Sequence, residues 1–132
     1  MSHNPEDALV RAVAGDARAL RVLAELNHDA LARAAVGLTP LIVTPEATIR
    51  VLEDLRAGRI SPESAQSWAS FVRRGYVEDP RQRGTIRPVE IDYQPDSESA
   101  IVDAVSRLDE IGDVVDGVVS RSEIDTLLER LV

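Results

Sequence analysis

The sequence predicts a mainly α protein, with five to six amphipathic helices arranged as two helix-turn-helix units and one or two short strands near residues 88–93. Three observations carry this expectation. Helix-start signals recur along the chain, and a Gly follows most of the helical stretches they open. Between these marks apolar residues fall three and four apart, the spacing of one helix face. Residues 88–93 instead alternate apolar and polar side chains, the period of a half-buried strand. At 132 residues the chain is long enough for one helical domain, expected to span 1–132. Aromatics are 3% of the chain, so its core must be aliphatic.

Asn4-Pro5-Glu6-Asp7 opens a first helix with Leu9, Val10 and Val13, and Gly15 closes it. Asp16 caps a second with Leu20, Leu23 and Leu26. Asn27-His28-Asp29 is a candidate break before Leu31 and Val36, and Gly37 ends the run. Pro40 bars a helix around it, so Leu41-Ile42-Val43 is either a short strand or a buried lead-in. Thr44-Pro45-Glu46 starts the clearest helix: Thr accepts an orphan amide, Pro suits the first position and an acid suits the positive end. Its stripe is Ile49, Leu52 and Leu55, with Val51 beside them and Gly58 as a left-handed stop. Ser61-Pro62-Glu63 repeats the start signal. The helix after it sets Ala65, Trp68, Ala69 and Val72 on one face, with Phe71 at its edge, and ends at Gly75. Trp68 lies on that stripe and is expected in the core rather than exposed as an anchor for a partner.

Residues 78–84 are polar with turn formers, and an exposed loop is expected over about 78–87. The strand at 88–93 needs a partner for its backbone. Leu41 to Val43, Val118-Val119 or the same strand of a second copy could serve, the last making a homodimer through 88–93. Pro95-Asp96-Ser97 introduces a helix with Ile101, Val102, Val105, Leu108 and Ile111. Ser120 caps a final one with Ile124, Leu127, Leu128 and Leu131.

The chain repeats a turn. Gly58-x-Ile60-Ser61 matches Gly117-x-Val119-Ser120 at an offset of 59 residues, and Ile49, Leu52 and Leu55 fall on Leu108, Ile111 and Val114 at the same offset. Shared capping chemistry and true pairing of the two units both account for this. The second unit also fits the exit half of an EF-hand loop, with Asp116, Ser120 and Glu123 as candidate calcium ligands. That register needs oxygen donors where Gly112 and Val114 stand, and the first unit puts Ser64 in place of the terminal Glu. An EF-hand-like arrangement without metal follows, with Ile60 and Val119 paired in a short bridge.

Net charge is −8, and its placement is uneven. Residues 1–77 balance nine acids with nine Arg, whereas residues 78–132 hold fourteen acids and six Arg. Such a surface does not suit phosphate backbones, so nucleic acid is not expected as a partner. A basic protein is. No Cys is present, no apolar run approaches a membrane span, and no secretory signal opens the chain, so a cytoplasmic protein is expected. His28 has one acid beside it and no nucleophile, and reads as a capping or surface residue. With no phosphate loop, dinucleotide fingerprint or zinc pair, the chain is expected to have no cofactor and not to be an enzyme, an enzyme of unknown class being an alternative.

Residues 6–26, through Leu9, Val10, Gly15, Asp16, Ala19, Leu20 and Leu23, resemble the opening of region 2 in bacterial extracytoplasmic-function sigma factors. The chain has no aromatic and basic promoter-melting segment of the kind that resemblance implies. Residues 48–76, with Gly58-x-Ile60-Ser61, Glu63, Trp68 and Phe71, resemble the start of bacterial colicin-type immunity proteins. This resemblance implies a compact helical protein that neutralises a basic toxin through an acidic surface. Charge density, rather than a matched motif, selects Glu90, Asp92, Asp96, Glu98, Asp103, Asp109 and Glu110 as that surface. The leading expectation is therefore a non-enzymatic acidic protein-binding module. An EF-hand-like helix-loop-helix protein is the alternative.

Overall fold

Most helices of this protein begin where a short polar side chain closes the first turn. The computed structural model describes residues 4–38, 40–77, 88–112 and 117–132. Helix α1 (Pro5–Val13) starts at Asn4, whose Oδ1 accepts from the amides of Glu6 and Asp7 at 2.9 and 3.3 Å. A 3-10 turn over Ala17–Ala19, capped by Asp16, leads into α2 (Leu20–Ala24). Asn27 caps α3 (His28–Val36) through the Ala30 amide at 2.7 Å, so the anticipated break is real and divides the run into two helices. Strand β1 (Leu41–Val43) precedes α4 (Pro45–Arg56) and α5 (Pro62–Arg74). Strand β2 (Ile91–Tyr93), a 3-10 turn at Pro95–Ser97, α6 (Glu98–Asp109) and α7 (Arg121–Leu131) complete the order. The fold is mainly helical, as the periodicity predicts. The expected loop at about 78–87 lies outside the described residues.

The strand expected over 88–93 is regular only from Ile91 to Tyr93. Its partner within the chain is β1, in parallel, with Leu41 opposite Ile91, Ile42 opposite Asp92 and Val43 opposite Tyr93. Parallel strands need a long crossover, and α4 with α5 supplies it. Gly75 anchors the return. It ends α5 at φ 82°, and a Cβ there would stand 2.2 Å from the Val89 carbonyl oxygen, so only Gly permits this approach. The Val89 amide donates to the Gly75 carbonyl at 2.7 Å, which joins the end of α5 to the lead-in of β2.

The two helix-turn-helix units interlock crosswise: α5 packs on α6, and α4 packs on α7. The short bridge expected between Ile60 and Val119 does not form, since neither residue lies in a strand. The amides of Arg59 and Ile60 turn back onto the Asp54 carbonyl at 2.8 and 3.3 Å, so the helix stop consumes the groups a bridge would use.

The core is aliphatic around one Trp and one Phe. Trp68 is fully buried, and its indole Nε1 donates to the Ala12 carbonyl at 2.8 Å, which satisfies the polar edge and ties α5 to α1. Phe71, expected at the edge of its face, is equally buried. Helix α5 is covered by α6 and also by the Ala17–Ala19 turn, which widens its apolar arc beyond one stripe. On α4 the fully buried residues are Thr48, Val51 and Leu52, with Ile49 and Leu55 only partly covered. The stripe is thus rotated by about one residue from the Ile49–Leu52–Leu55 expectation, because both α6 and α7 lie against this helix. His28 is also corrected. Asn27 performs the capping, and His28 sits 5% exposed, edge-on to the Tyr76 ring at 6.0 Å, its Nδ1 without a hydrogen-bond partner.

Candidate functional site

The seven acids selected by charge density divide into two groups once Arg partners are placed. Asp109 ends α6 with a side chain only 6% exposed. It accepts from Arg73 Nη1 at 2.5 Å and from Gln66 Nε2 at 3.0 Å, with Arg74 at 3.5 Å. That carboxylate bonds α5 to α6 and is not presented as partner surface. Asp103 pairs with Arg130 of α7. Glu110 accepts from Arg107 at 3.2 Å. Tyr93 lies beside the Arg73–Asp109 pair: burial raises its hydroxyl pKa, the Arg73 charge opposes this and the Asp109 charge adds to it.

Glu90, Asp92, Asp96 and Glu98 differ. All four are exposed, and none forms an ion pair among the described residues. Local structure explains their placement. Asp92 faces outward from β2 on the side opposite to the half-buried Ile91 and Tyr93, as strand alternation requires. Asp96 and Glu98 follow at the 3-10 turn and the first turn of α6, where the positive end of the helix favours carboxylates. The Gln94 amide donates to the Val43 carbonyl at 2.9 Å and holds this segment against β1. Asp96, Glu98 and Arg130 border an open polar depression of about 360 Å³ on this side of the protein.

The calcium candidates are used for structure. Ser120 Oγ accepts from the Glu123 amide at 3.1 Å, and Glu123 Oε1 accepts from the Ser120 amide at 3.4 Å, a reciprocal cap on α7. Arg107 donates to both Glu123 oxygens, at 2.7 and 3.2 Å. The hydrogen bond from Arg107 lowers the Glu123 pKa; desolvation opposes this, and the Ser120 amide and the Arg107 charge reinforce it. Asp116 lies outside the described residues, and among those described no three His, Asp or Glu side chains converge to hold a metal.

Sequence reasoning missed the role of Arg107. Besides Glu123 and Glu110 it donates to the Val118 carbonyl at 3.0 Å, so one side chain joins α6, the turn and α7. The Ser120-x-x-Glu123 cap was a legible signal, but nothing in the sequence connects it to Arg107. Asp16 was foreseen as a cap and proves to be more. Burial pushes its carboxyl up, but the Arg11 hydrogen bond and charge outweigh this, with help from the Arg18 amide, and leave the pKa lowered. No helix among the described residues is long and apolar enough to cross a membrane. Comparison with protein-family models, curated proteins and solved structures finds no match to this chain.

Proposed function

We propose that this chain is a non-enzymatic, acidic protein-binding module whose partner is basic, with a toxin neutralised in the manner of an immunity protein as the specific form. One observation supports the reading above the others. Asp103, Asp109 and Glu110 have Arg partners, whereas Glu90, Asp92, Asp96 and Glu98, four carboxylates within nine residues on one exposed segment, have no ion-pair partner among the described residues. Unpaired surface carboxylates raise the association rate with a basic partner and disfavour acidic ones. The test is co-expression with a basic toxin encoded beside this gene. The native chain is expected to restore growth, and the Glu90→Lys, Asp92→Lys, Asp96→Lys triple variant is expected not to. Full protection by the triple variant, or no protection by the native chain, would remove the reading.

A second reading, an EF-hand-like pair without calcium, draws support from the crosswise packing of α4 on α7 and α5 on α6. Glu123 is bound by Arg107, which argues against metal there. Calorimetry at millimolar calcium is expected to show no heat, and a binding isotherm would reverse that argument.

A further inference from the structure

A shallow groove of about 290 Å³ lies between α1 and β1, lined by Val10, Val13, Ala14, Leu38, Pro40 and Ile42 among others, with no titratable side chain among the described residues of its wall. Both buried Leu41 and outward Ile42 contribute to it. A groove bordered by residues from both faces of one strand runs along that strand's edge. The register identifies which edge. Val43 bonds to β2, since its carbonyl accepts from the Gln94 amide, so alternation turns the Ile42 N–H and C=O away from β2. Among the described residues these two groups have no other hydrogen-bond partner. Beside them Ile42 is 41% and Val10 46% exposed, large apolar side chains at the mouth of an open strand edge.

We infer that this groove takes an extended, basic segment of a partner protein, which adds to β1 as a third strand. The charge around it selects the occupant. Asp92 is the cross-strand neighbour of Ile42 and shares its outward face, and Glu6 lies one turn before Val10 on α1; both are exposed. The nearby cation Arg11 is paired with Asp16 at 2.8 Å. An alternating segment would place apolar side chains over Val10 and Ile42 and Arg or Lys toward Asp92 and Glu6, while its backbone bonds Ile42. A second copy of this chain brings the same acids and a charge of −8 to the edge, and is disfavoured by repulsion. The inference rests on the acidic-module reading for the sign of the partner's charge and adds the seat.

The test titrates the full, isotope-labelled chain with a short synthetic peptide alternating Val and Arg, followed by backbone amide shifts. Shifts at residues 40–44 and in α1 are expected. Val10→Arg with Ile42→Arg, both at exposed positions, should weaken binding by about tenfold or more, as should methylation of the peptide's backbone nitrogens. Shifts confined to residues 90–98 would overturn the groove and leave the acidic reading standing. Equal binding of a Val and Glu peptide in the groove would overturn the acidic reading and with it the basic occupant. No binding, or concentration-dependent shifts at 40–44 without peptide, would overturn the inference, the latter in favour of a second copy.

Discussion

The α4–α5 and α6–α7 units carry the same turn signature and are closed by different forces. In the first, Ser61 caps α5 through the Ser64 amide, and the helix then buries six residues including Trp68 and Phe71. In the second, a reciprocal Ser120–Glu123 cap is tied down by Arg107, and Asp103–Arg130 spans the two helices. Both turns carry an ion pair, Arg59–Asp54 at 2.7 Å in the first and Arg107–Glu123 in the second, but only the second joins the helix before the turn to the helix after it. Capping chemistry sets where each helix begins, and it does not determine what secures the helix to the rest of the molecule.

The contrast is broken most severely at Trp68. Trp68→Ala removes the largest buried side chain together with its bond to the Ala12 carbonyl, and is expected to cost about 3–5 kcal/mol in a urea titration. The helix stops come next. Gly75→Ala meets both positive φ and the Val89 backbone and should cost about 2–4 kcal/mol. Gly58→Ala, at φ 74° with nothing near the new Cβ, should cost only about 1–2 kcal/mol. Equal losses at the two positions would show that the Gly75–Val89 approach does not matter to the fold.

Glu123→Gln should lower the melting temperature at neutral pH by less than Gly75→Ala, and the variant should lose less on acidification than the native chain. The Glu123 carboxyl titrates lower in the folded protein than in the unfolded one. Its contribution is therefore complete above the ordinary glutamate range, roughly 4.3, and is lost as pH falls through the lowered folded value. A thermal melt series at descending pH measures this, and parallel curves for variant and native chain would contradict it. His28→Leu should leave stability unchanged or raise it by about 1 kcal/mol, because it removes a buried nitrogen that has no partner. The smallest effect belongs to the surface. Reversing Glu90 and Asp96 to Lys should alter stability by no more than about 0.5 kcal/mol, whereas Asp109→Ala should destabilise measurably.

Local grammar was legible wherever the signal is contained within one turn. Asn4, Asp16, Thr44, Ser61 and Ser120 all accept the amides their positions in the sequence assign to them, whereas at the 27–29 break the cap fell to Asn27 and not to His28. The exact face of a helix was less so. Ile49 lost its place in the predicted stripe and Phe71 gained one, since the buried arc depends on how many neighbours a helix receives. The acids show the limit most clearly. Composition located an excess of carboxylates after residue 77, but Asp109 and Glu90 are indistinguishable as residues of a charged segment.

The sequence by itself determined the mainly helical class, the caps, the breaks and the short strand, because these depend on residues within about four positions of each other. Tertiary structure decided that Leu41–Val43 would take the strand, that Arg107 would bind Glu123, and that Asp109 would sit between Arg73 and Arg74. Each of those joins groups 16 to 50 residues apart only after helices pack, and the pairing of a charge depends on which surface the packing brings to it.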